Sequence, residues 1–208
     1  MYDLTNEELR TLKKLNTPIK IQDFLDTLPI NFEKRGETYM SPRRVLRERK
    51  AHCFEGALLA ALALMLEGAQ PLILDLTSYP HDDDHVVALY RKNGYWGAIS
   101  KTNHAALRFR DPIYRSVREL TLSYFHEYFM NDTGKKVLTT YSDPFDLSKL
   151  KLNWVTAEKE LFSVMHALDR SPHHKIVPVK NKPFIRKADS IEKKAGKITE
   201  WKKSDKGT

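Results

Sequence analysis

The chain contains a single cysteine, Cys53, which is preceded by His52 and followed 32 positions later by His85. A cysteine acts as a nucleophile only as the thiolate, and its unperturbed pKa is about 8.5. A helix N-terminus or a nearby imidazolium lowers that pKa. The residues from Cys53 to Glu67 predict a helix that begins at the cysteine, and His85 opens an alternating segment typical of a strand. The pattern predicts a nucleophile, Cys53, whose base is His85.

Other interpretations of these residues remain open. A lone cysteine beside an apolar helix is usually a small hydrophobic packing residue, and a histidine at the start of a strand is usually structural. His52 could tune the thiol or lie in a substrate site, or it could simply flank the helix on the surface. The sequence alone does not choose between these roles.

An acidic run, Asp82-Asp83-Asp84, lies between His81 and His85. Carboxylate and imidazole groups suit several divalent cations, but we favour a solvated acidic loop. The same acids could orient His85 or select a basic substrate. We therefore predict neither a metal nor an organic cofactor.

The composition is that of a globular protein with one domain and an extension. The 208 residues are 41% hydrophobic and 30% charged, and the mean hydropathy is −0.54. One cysteine excludes an internal disulfide or a zinc site built on several thiolates. The most apolar run, Ala57 to Leu66, is far shorter than the roughly 20 residues that cross a bilayer. With no apolar leader at the N-terminus, we expect a cytoplasmic protein without a membrane partner.

Periodicity predicts an α+β fold around the Cys53 helix. Helices are predicted from a capping box at Thr5 to about Asn16, and then over residues 21–28, 42–49, 53–67, 117–129 and 157–168. Gly68 would end the central helix. Three strands are predicted in PLILDLTSY, HVVALYR and GYWGAIS, the last two joined by a tight turn at Asn93-Gly94. They should form an antiparallel sheet that packs on the Cys53 helix.

The stretch AHCFEGALLAALALMLEGAQPLILDL, followed by HVVALYRKNGYWGAIS, resembles the core of the transglutaminase-like superfamily. That core has a Cys opening a central helix, a glycine ending it, a strand, a His heading the next strand and a Trp hairpin. The resemblance covers about a quarter of the chain and implies a papain-like fold that cleaves or transfers acyl groups from amides. It also implies a Cys, His, Asp triad, with Cys53 and His85 as two members and Trp96 at the substrate site.

The third member of the triad departs from this family pattern. The aspartate position corresponds to Ser100, whose hydroxyl can accept a hydrogen bond from imidazole but stabilises the cation less than a carboxylate does. Asn103 is the alternative, because papain-like enzymes orient their histidine with an asparagine amide. Asp111 would require the chain to fold back. We rank Asn103 first, Ser100 second and Asp111 third.

Positive charge is concentrated in the C-terminal residues. The formal net charge is +8, and residues 179–208 carry ten Lys or Arg residues against four acidic ones. We expect a transglutaminase-like domain over residues 1–178 and a flexible basic tail over residues 179–208. The tail could contact nucleic acid through phosphates, but it contains no recognised nucleic-acid motif.

The leading hypothesis is a cysteine hydrolase (thiol protease) or acyltransferase that acts on an amide or isopeptide bond of a peptide or protein through a Cys53 thioester. The alternative is a catalytically inactive module of the same fold that binds a peptide or protein in the ancestral cleft.

Overall fold

The computed structural model describes residues 3–34, 36–79 and 84–202. Within these ranges the α-helices are α1 (Asn6–Lys14), α2 (Pro18–Asp26), α3 (Pro42–Glu48), α4 (Cys53–Leu66), α5 (Val117–Phe125), α6 (Phe162–Asp169) and α7 (Ser190–Gly196). The strands are β1 (Leu72–Ser78), β2 (His85–Lys92), β3 (Tyr95–Ser100), β4 (Arg110–Tyr114), β5 (Leu138–Ser142), β6 (Phe145–Asp146) and β7 (His173–Lys175). Short 3-10 helices span Leu147–Lys149 and Val179–Phe184.

Helix α4 is the central element of the fold. Its residues from Phe54 to Leu64 are all buried, because Ala and Leu side chains cover the whole circumference and leave no polar face. It begins at Cys53, and Gly68, with a φ of 84°, lies just beyond its last turn as predicted. A buried helix of this kind holds its first residue in a fixed position relative to the sheet.

The strands form one antiparallel sheet in the order β4-β3-β2-β1-β5-β7, and β6 also pairs with β1. The β2–β3 hairpin turns at Asn93 and Gly94, whose φ angles of 51° and 87° are the positive values that a primed turn requires. The register pairs Val87 with Ser100. His85 and Ser100 therefore lie at the same end of the hairpin.

Two hydrophobic clusters cover the two faces of the sheet. Helices α1 to α4 and α6 pack on the face that includes Ile73, Val86 and Ile99. Helix α5 and its aromatic side chains pack on the opposite face, against Leu74 and Val87. The predicted α+β class, a mixture of helices and an antiparallel sheet, is confirmed.

The structure contains elements that the sequence analysis did not predict. Strands β4 to β7 widen the sheet from the three predicted strands, and α6 begins at Phe162 rather than near Ala157. These strands are only two to five residues long, too short to show alternation. No helix in the three described ranges is long and apolar enough to cross a membrane.

Part of the C-terminal segment packs against the domain. Helix α7 is capped by Asp189, and the main chain of residues 188–200 exchanges hydrogen bonds with Gly134, Asn103 and Ala105. Whereas residues 179–187 are exposed, residues 188–201 thus pack on the domain, where a flexible tail over residues 179–208 was expected. Their lysine-rich composition concealed this packing, because the contacts are made mostly by main-chain groups.

Candidate active site

A cleft of about 820 Å³ opens above the N-terminus of α4. Its lining includes Cys53, His52 and His85, together with side chains from the loop after β3 and from the α6 end of the domain. Cys53 is half-buried, whereas His85 is 6% exposed. Cys53 therefore keeps part of its surface at the cleft, while its histidine partner is enclosed by protein.

Cys53 occupies the first position of α4, where the amide groups of the first turn have no partner inside the helix. The positive end of the helix dipole favours a thiolate at this position. Sγ also lies 3.8 Å from the main-chain oxygen of Asp84, which places it beside the chain that leads into β2. Helix α4 and strand β2 together position the sulfur.

Two imidazole rings act on the thiol. Burial alone would raise the pKa of the Cys53 thiol, but hydrogen bonds from His52 and His85 and the charges of the two rings outweigh it. The pKa of Cys53 is consequently held well below its ordinary value. The arrangement favours a thiolate at neutral pH.

His52 is a half-buried, positively charged residue and does not simply flank the helix on the surface. Burial opposes its charged form, but its interactions with Cys53 and with the carboxylate of Glu55 raise its pKa to about 9. Nε2 lies 2.7 Å from the carbonyl oxygen of Thr38 and 3.4 Å from Oε1 of Glu55. The ring is thus protonated at neutral pH and fixed beside the sulfur.

Glu55 is fully buried in the first turn of α4 and is satisfied by several donors. It accepts hydrogen bonds from the side chains of Asn31 and Thr38 and from the amides of Met40 and His52. A buried carboxylate requires such partners. Glu55 therefore anchors the loop that carries Thr38 and places a negative charge behind His52.

His85 is oriented by Ser100. Nε2 of His85 lies 2.8 Å from Oγ of Ser100, and that hydroxyl donates to the carbonyl oxygen of Leu107 at 2.6 Å. A serine hydroxyl has a single hydrogen, so Ser100 must accept the Nε2–H of His85. The proton of the neutral ring is thereby fixed on Nε2, and Nδ1 is the nitrogen left for the thiol.

The hydrogen-bonded series from His85 through Ser100 to the Leu107 carbonyl is called the relay below. The main chain of Ser100 and that of Leu107 are each held in place. Gln22, on α2, accepts from the amide of Ser100 at 2.9 Å and donates to its carbonyl at 2.8 Å. Leu107 has a φ of 60°, a strained value for a leucine, and its amide donates to Glu127. These contacts aim the Leu107 carbonyl at the serine.

Asn103, ranked first as the orienting residue, does not contact His85. Its side-chain amide donates to the carbonyl of Trp201 at 3.0 Å, and its oxygen accepts from the amide of Trp201 at 2.8 Å. The ranking is reversed by this geometry, because the chain turns away from the sheet after Ser100. Asp111, ranked third, is exposed on β4.

Trp96 also lies away from the predicted site. It is not among the residues that line the cleft; it packs on the α5 side of the sheet, with the guanidinium of Arg91 5.4 Å from its ring. Ser100 lies four positions further along β3, and four strand positions span roughly 13 Å. The assignment of Trp96 to the substrate site is therefore corrected, whereas His52 does line the cleft.

Of the acidic run, Asp84 is described and lines the cleft, whereas residues 81–83 lie outside the described ranges. Within those ranges, no group of three or more His, Cys, Asp or Glu side chains is arranged to hold a metal ion.

Three parts of the site were missed from the sequence. Glu55 carried a signal, since it is an isolated carboxylate at the third position of an otherwise apolar helix. Gln22 carried none, because it reaches Ser100 across 78 positions of the chain. The carbonyl of Leu107 could not be found from side-chain identity at all.

No protein-family model matches the chain. A search of curated proteins likewise returns no match. The functional argument therefore depends on the geometry of the site.

Proposed function

We propose that the protein is a transglutaminase-like cysteine hydrolase or acyltransferase that acts on an amide or isopeptide bond of a peptide or protein. The observation that carries the proposal is the continuous arrangement of Cys53, His85, Ser100 and the Leu107 carbonyl. A structural cysteine would not need two imidazoles or a histidine with a fixed tautomer. The papain-like character of the fold belongs to the same proposal.

The chemistry follows from the positions of these groups. The Cys53 thiolate attacks the substrate carbonyl, and the main-chain amide of Cys53 helps to hold the resulting oxyanion. His85 protonates the leaving amine, which yields a thioester on Cys53. The neutral ring then accepts a proton from water or from an acceptor amine, whose attack releases the product and restores the thiolate.

The pH dependence of alkylation by iodoacetamide tests the activated thiol. Wild-type protein should react with a midpoint well below the ordinary thiol value of about 8.5, because thiolate is the reactive species. The variant His85→Ala should move the midpoint upward, while His126→Ala, which removes an exposed histidine that is not among the residues lining the cleft, should not. A wild-type midpoint at the ordinary value would contradict the proposal.

The inactive binding module is a second candidate, and Ser100 is the observation that favours it. A hydroxyl stabilises imidazolium less than a carboxylate does, so a site of this kind can retain a reactive thiol and yet turn over slowly. Acylation by p-nitrophenyl acetate separates the two. An acetyl group that appears on Cys53 and is then lost in wild type, but persists in His85→Ala, supports the enzyme. A stable acetyl group in both proteins supports the module.

A further inference from the structure

Three carboxylates from separate elements converge on the end of the cleft that contains Cys53. Asp75 comes from β1, Asp84 from the residue before β2, and Asp169 from the end of α6. The charges of Asp84 and Asp169 raise the pKa of Asp75, and the charge of Asp169 also raises the pKa of Asp84, which places the three within electrostatic reach. Like charges brought together in this way require a counter-charge.

Asp75 indicates that this counter-charge is incomplete in the protein alone. The residue is 3% exposed and lines the cleft, and its Oδ1 has no hydrogen-bond partner among the described residues. Oδ2 lies 3.2 Å from Nε2 of His173. Burial, followed by the charge of Asp84, raises the pKa of Asp75 to about 6. Buried carboxylate oxygens without a donor are rare, and such an atom beside a cleft indicates a ligand group.

The acidic character continues around Tyr39, which lines the same cleft. Burial raises the pKa of Tyr39 to about 12, and the charges of Glu37, Glu33 and Asp169 act in the same direction. The Tyr39 ring packs edge-on against Phe54 and Phe162. Carboxylates beside an aromatic face form an environment that suits a cation.

The positive groups of the described protein do not balance this charge. Lys101 is the only Lys or Arg among the described cleft-lining residues, and it donates to the carbonyls of Leu25 and Leu28 beneath the cleft. The other positive groups near these carboxylates are imidazoles. His173 lies 3.2 Å from Asp75, His166 lies 3.9 Å from Asp169, and His52 lies 3.8 Å from Glu33. The acids thus outnumber the nearby fixed cations.

We propose that Asp75, Asp84 and Asp169 form an acidic subsite that binds a basic side chain, ammonium or guanidinium, of the peptide substrate next to the bond that Cys53 attacks. This inference rests on the proposed function and adds a substrate class to it. The occupant is a lysine or arginine near the reacting amide, since its cation would complete the buried Asp75 carboxylate.

Thiol reagents of opposite charge test the subsite without requiring turnover, and the rates with a free thiol correct for their other differences. Wild-type Cys53 is treated with the trimethylammonioethyl and the sulfonatoethyl methanethiosulfonates, and the ratio of their rates is compared with that of a free thiol. The imidazolium of His52 alone would favour the anionic reagent. The subsite should reverse this preference and raise the cation-to-anion ratio about tenfold or more above the free-thiol value, an effect that salt weakens.

Substitutions assign the effect to particular carboxylates. Asp84→Asn and Asp169→Asn should each lower the ratio about threefold. Glu7→Gln, which removes one charge from an exposed position on α1, should leave it unchanged. A ratio equal to that of a free thiol, or one that neither aspartate variant changes, overturns the subsite. Asp75→Asn is omitted because this buried position risks the fold.

Iodoacetamide is uncharged, so its labelling midpoint tests the activated thiol separately from the acidic subsite. If the iodoacetamide midpoint is low but the charge ratio is that of a free thiol, the subsite fails and the proposed function stands. If the midpoint is ordinary but the ratio is high, the proposed function fails, and the three aspartates remain a cation-binding site without a role in a reaction at Cys53. As a second readout, trilysine should protect Cys53 from iodoacetamide more than triglutamate does, and equal protection counts against the subsite.

Discussion

Ser100 is the residue at which the site differs from a carboxylate triad. Its hydroxyl links the ring of His85 to the carbonyl of Leu107, so it determines which nitrogen of His85 carries the proton. It acts on the substrate only through His85 and is therefore a positioning residue. Both partners of the hydroxyl would be left unpaired if it were removed.

Ser100→Ala should raise the thiol pKa and slow alkylation at neutral pH about tenfold, because His85 loses its fixed tautomer. The unpaired groups should also lower the free energy of unfolding by about 1–3 kcal/mol. The pH profile of iodoacetamide labelling separates the two effects. Ser100→Thr, which keeps a hydroxyl, should restore the profile; a wild-type profile in Ser100→Ala would exclude a positioning role.

The pairing of Cys53 with His52 should appear in the pH dependence of stability. Cys53 has a lowered pKa in the folded state, so its contribution is present above the unfolded thiol pKa of about 8.5 and is lost as the pH falls through the folded value. His52 has a raised pKa, so its contribution is complete below its ordinary 6.5 and is lost as the pH rises through about 9.

The difference in unfolding free energy between wild type and Cys53→Ser should therefore be largest from neutral to mildly alkaline pH. It should shrink both in acid, as the thiolate is protonated, and above about pH 9, as His52 loses its proton. Urea unfolding across this range measures the difference. A difference that does not change with pH would show that the two groups are not ionised together.

At the scale of elements, the close approach of α4 to the end of β3 positions the nucleophile. Gly56 lies one turn after Cys53, and a Cβ at this position would meet Cβ of Lys101 at 2.5 Å. Lys101 follows Ser100 directly and is itself fixed to the end of α2 by its ammonium group. The first turn of α4 and the relay residue thus share one tightly packed contact.

Gly56→Ala should destabilise the protein by about 1–3 kcal/mol, because the overlap is with atoms close to the main chain of Lys101 rather than with a flexible side-chain end. The gain of about 1 kcal/mol that alanine brings to a helix acts in the opposite direction. Thermal or urea unfolding measures the net effect. Leu66→Ala, at an exposed position of the same helix, should cost less than about 1 kcal/mol. Stabilisation by Gly56→Ala would contradict the packing argument.

The same elements show how far sequence reasoning reached. Helix α4 and the β2–β3 hairpin were predictable because their signals are local: an apolar run that begins at a cysteine and ends at Gly68, and an Asn-Gly turn. The partner of His85 was harder to predict, because the choice between Ser100 and Asn103 depends on where the chain leaves the sheet. Trp96 was misplaced because it lies near the opposite end of β3 from Ser100, and the sequence does not show how far along the strand the cleft extends.

At the scale of the whole molecule, the C-terminal segment closes back on the loop that follows β3. Asn103 makes two hydrogen bonds to the main chain of Trp201, and its own carbonyl accepts from the amide of Glu200. Gly196, at the end of α7, lines the cleft. The residue expected to assist His85 instead holds the C-terminal segment near the mouth of the cleft.

Asn103→Ala should release this segment while leaving the thiol unchanged. The amide of Trp201 should exchange with solvent faster, and stability should fall by about 1–2 kcal/mol, because two hydrogen bonds are lost. Hydrogen exchange measured by mass spectrometry on the C-terminal peptide tests this. An altered pH profile of iodoacetamide labelling, in place of faster exchange, would return Asn103 to the catalytic relay.

The acceptor at the end of the relay is the main-chain carbonyl oxygen of Leu107, which does not take up a proton as the pH falls. A carboxylate in that place would take up a proton as the medium becomes acidic and would then cease to act as an acceptor. A main-chain oxygen has no such transition, and no side-chain replacement removes it. Loss of reactivity at low pH in this protein would therefore not arise from protonation at this end of the relay.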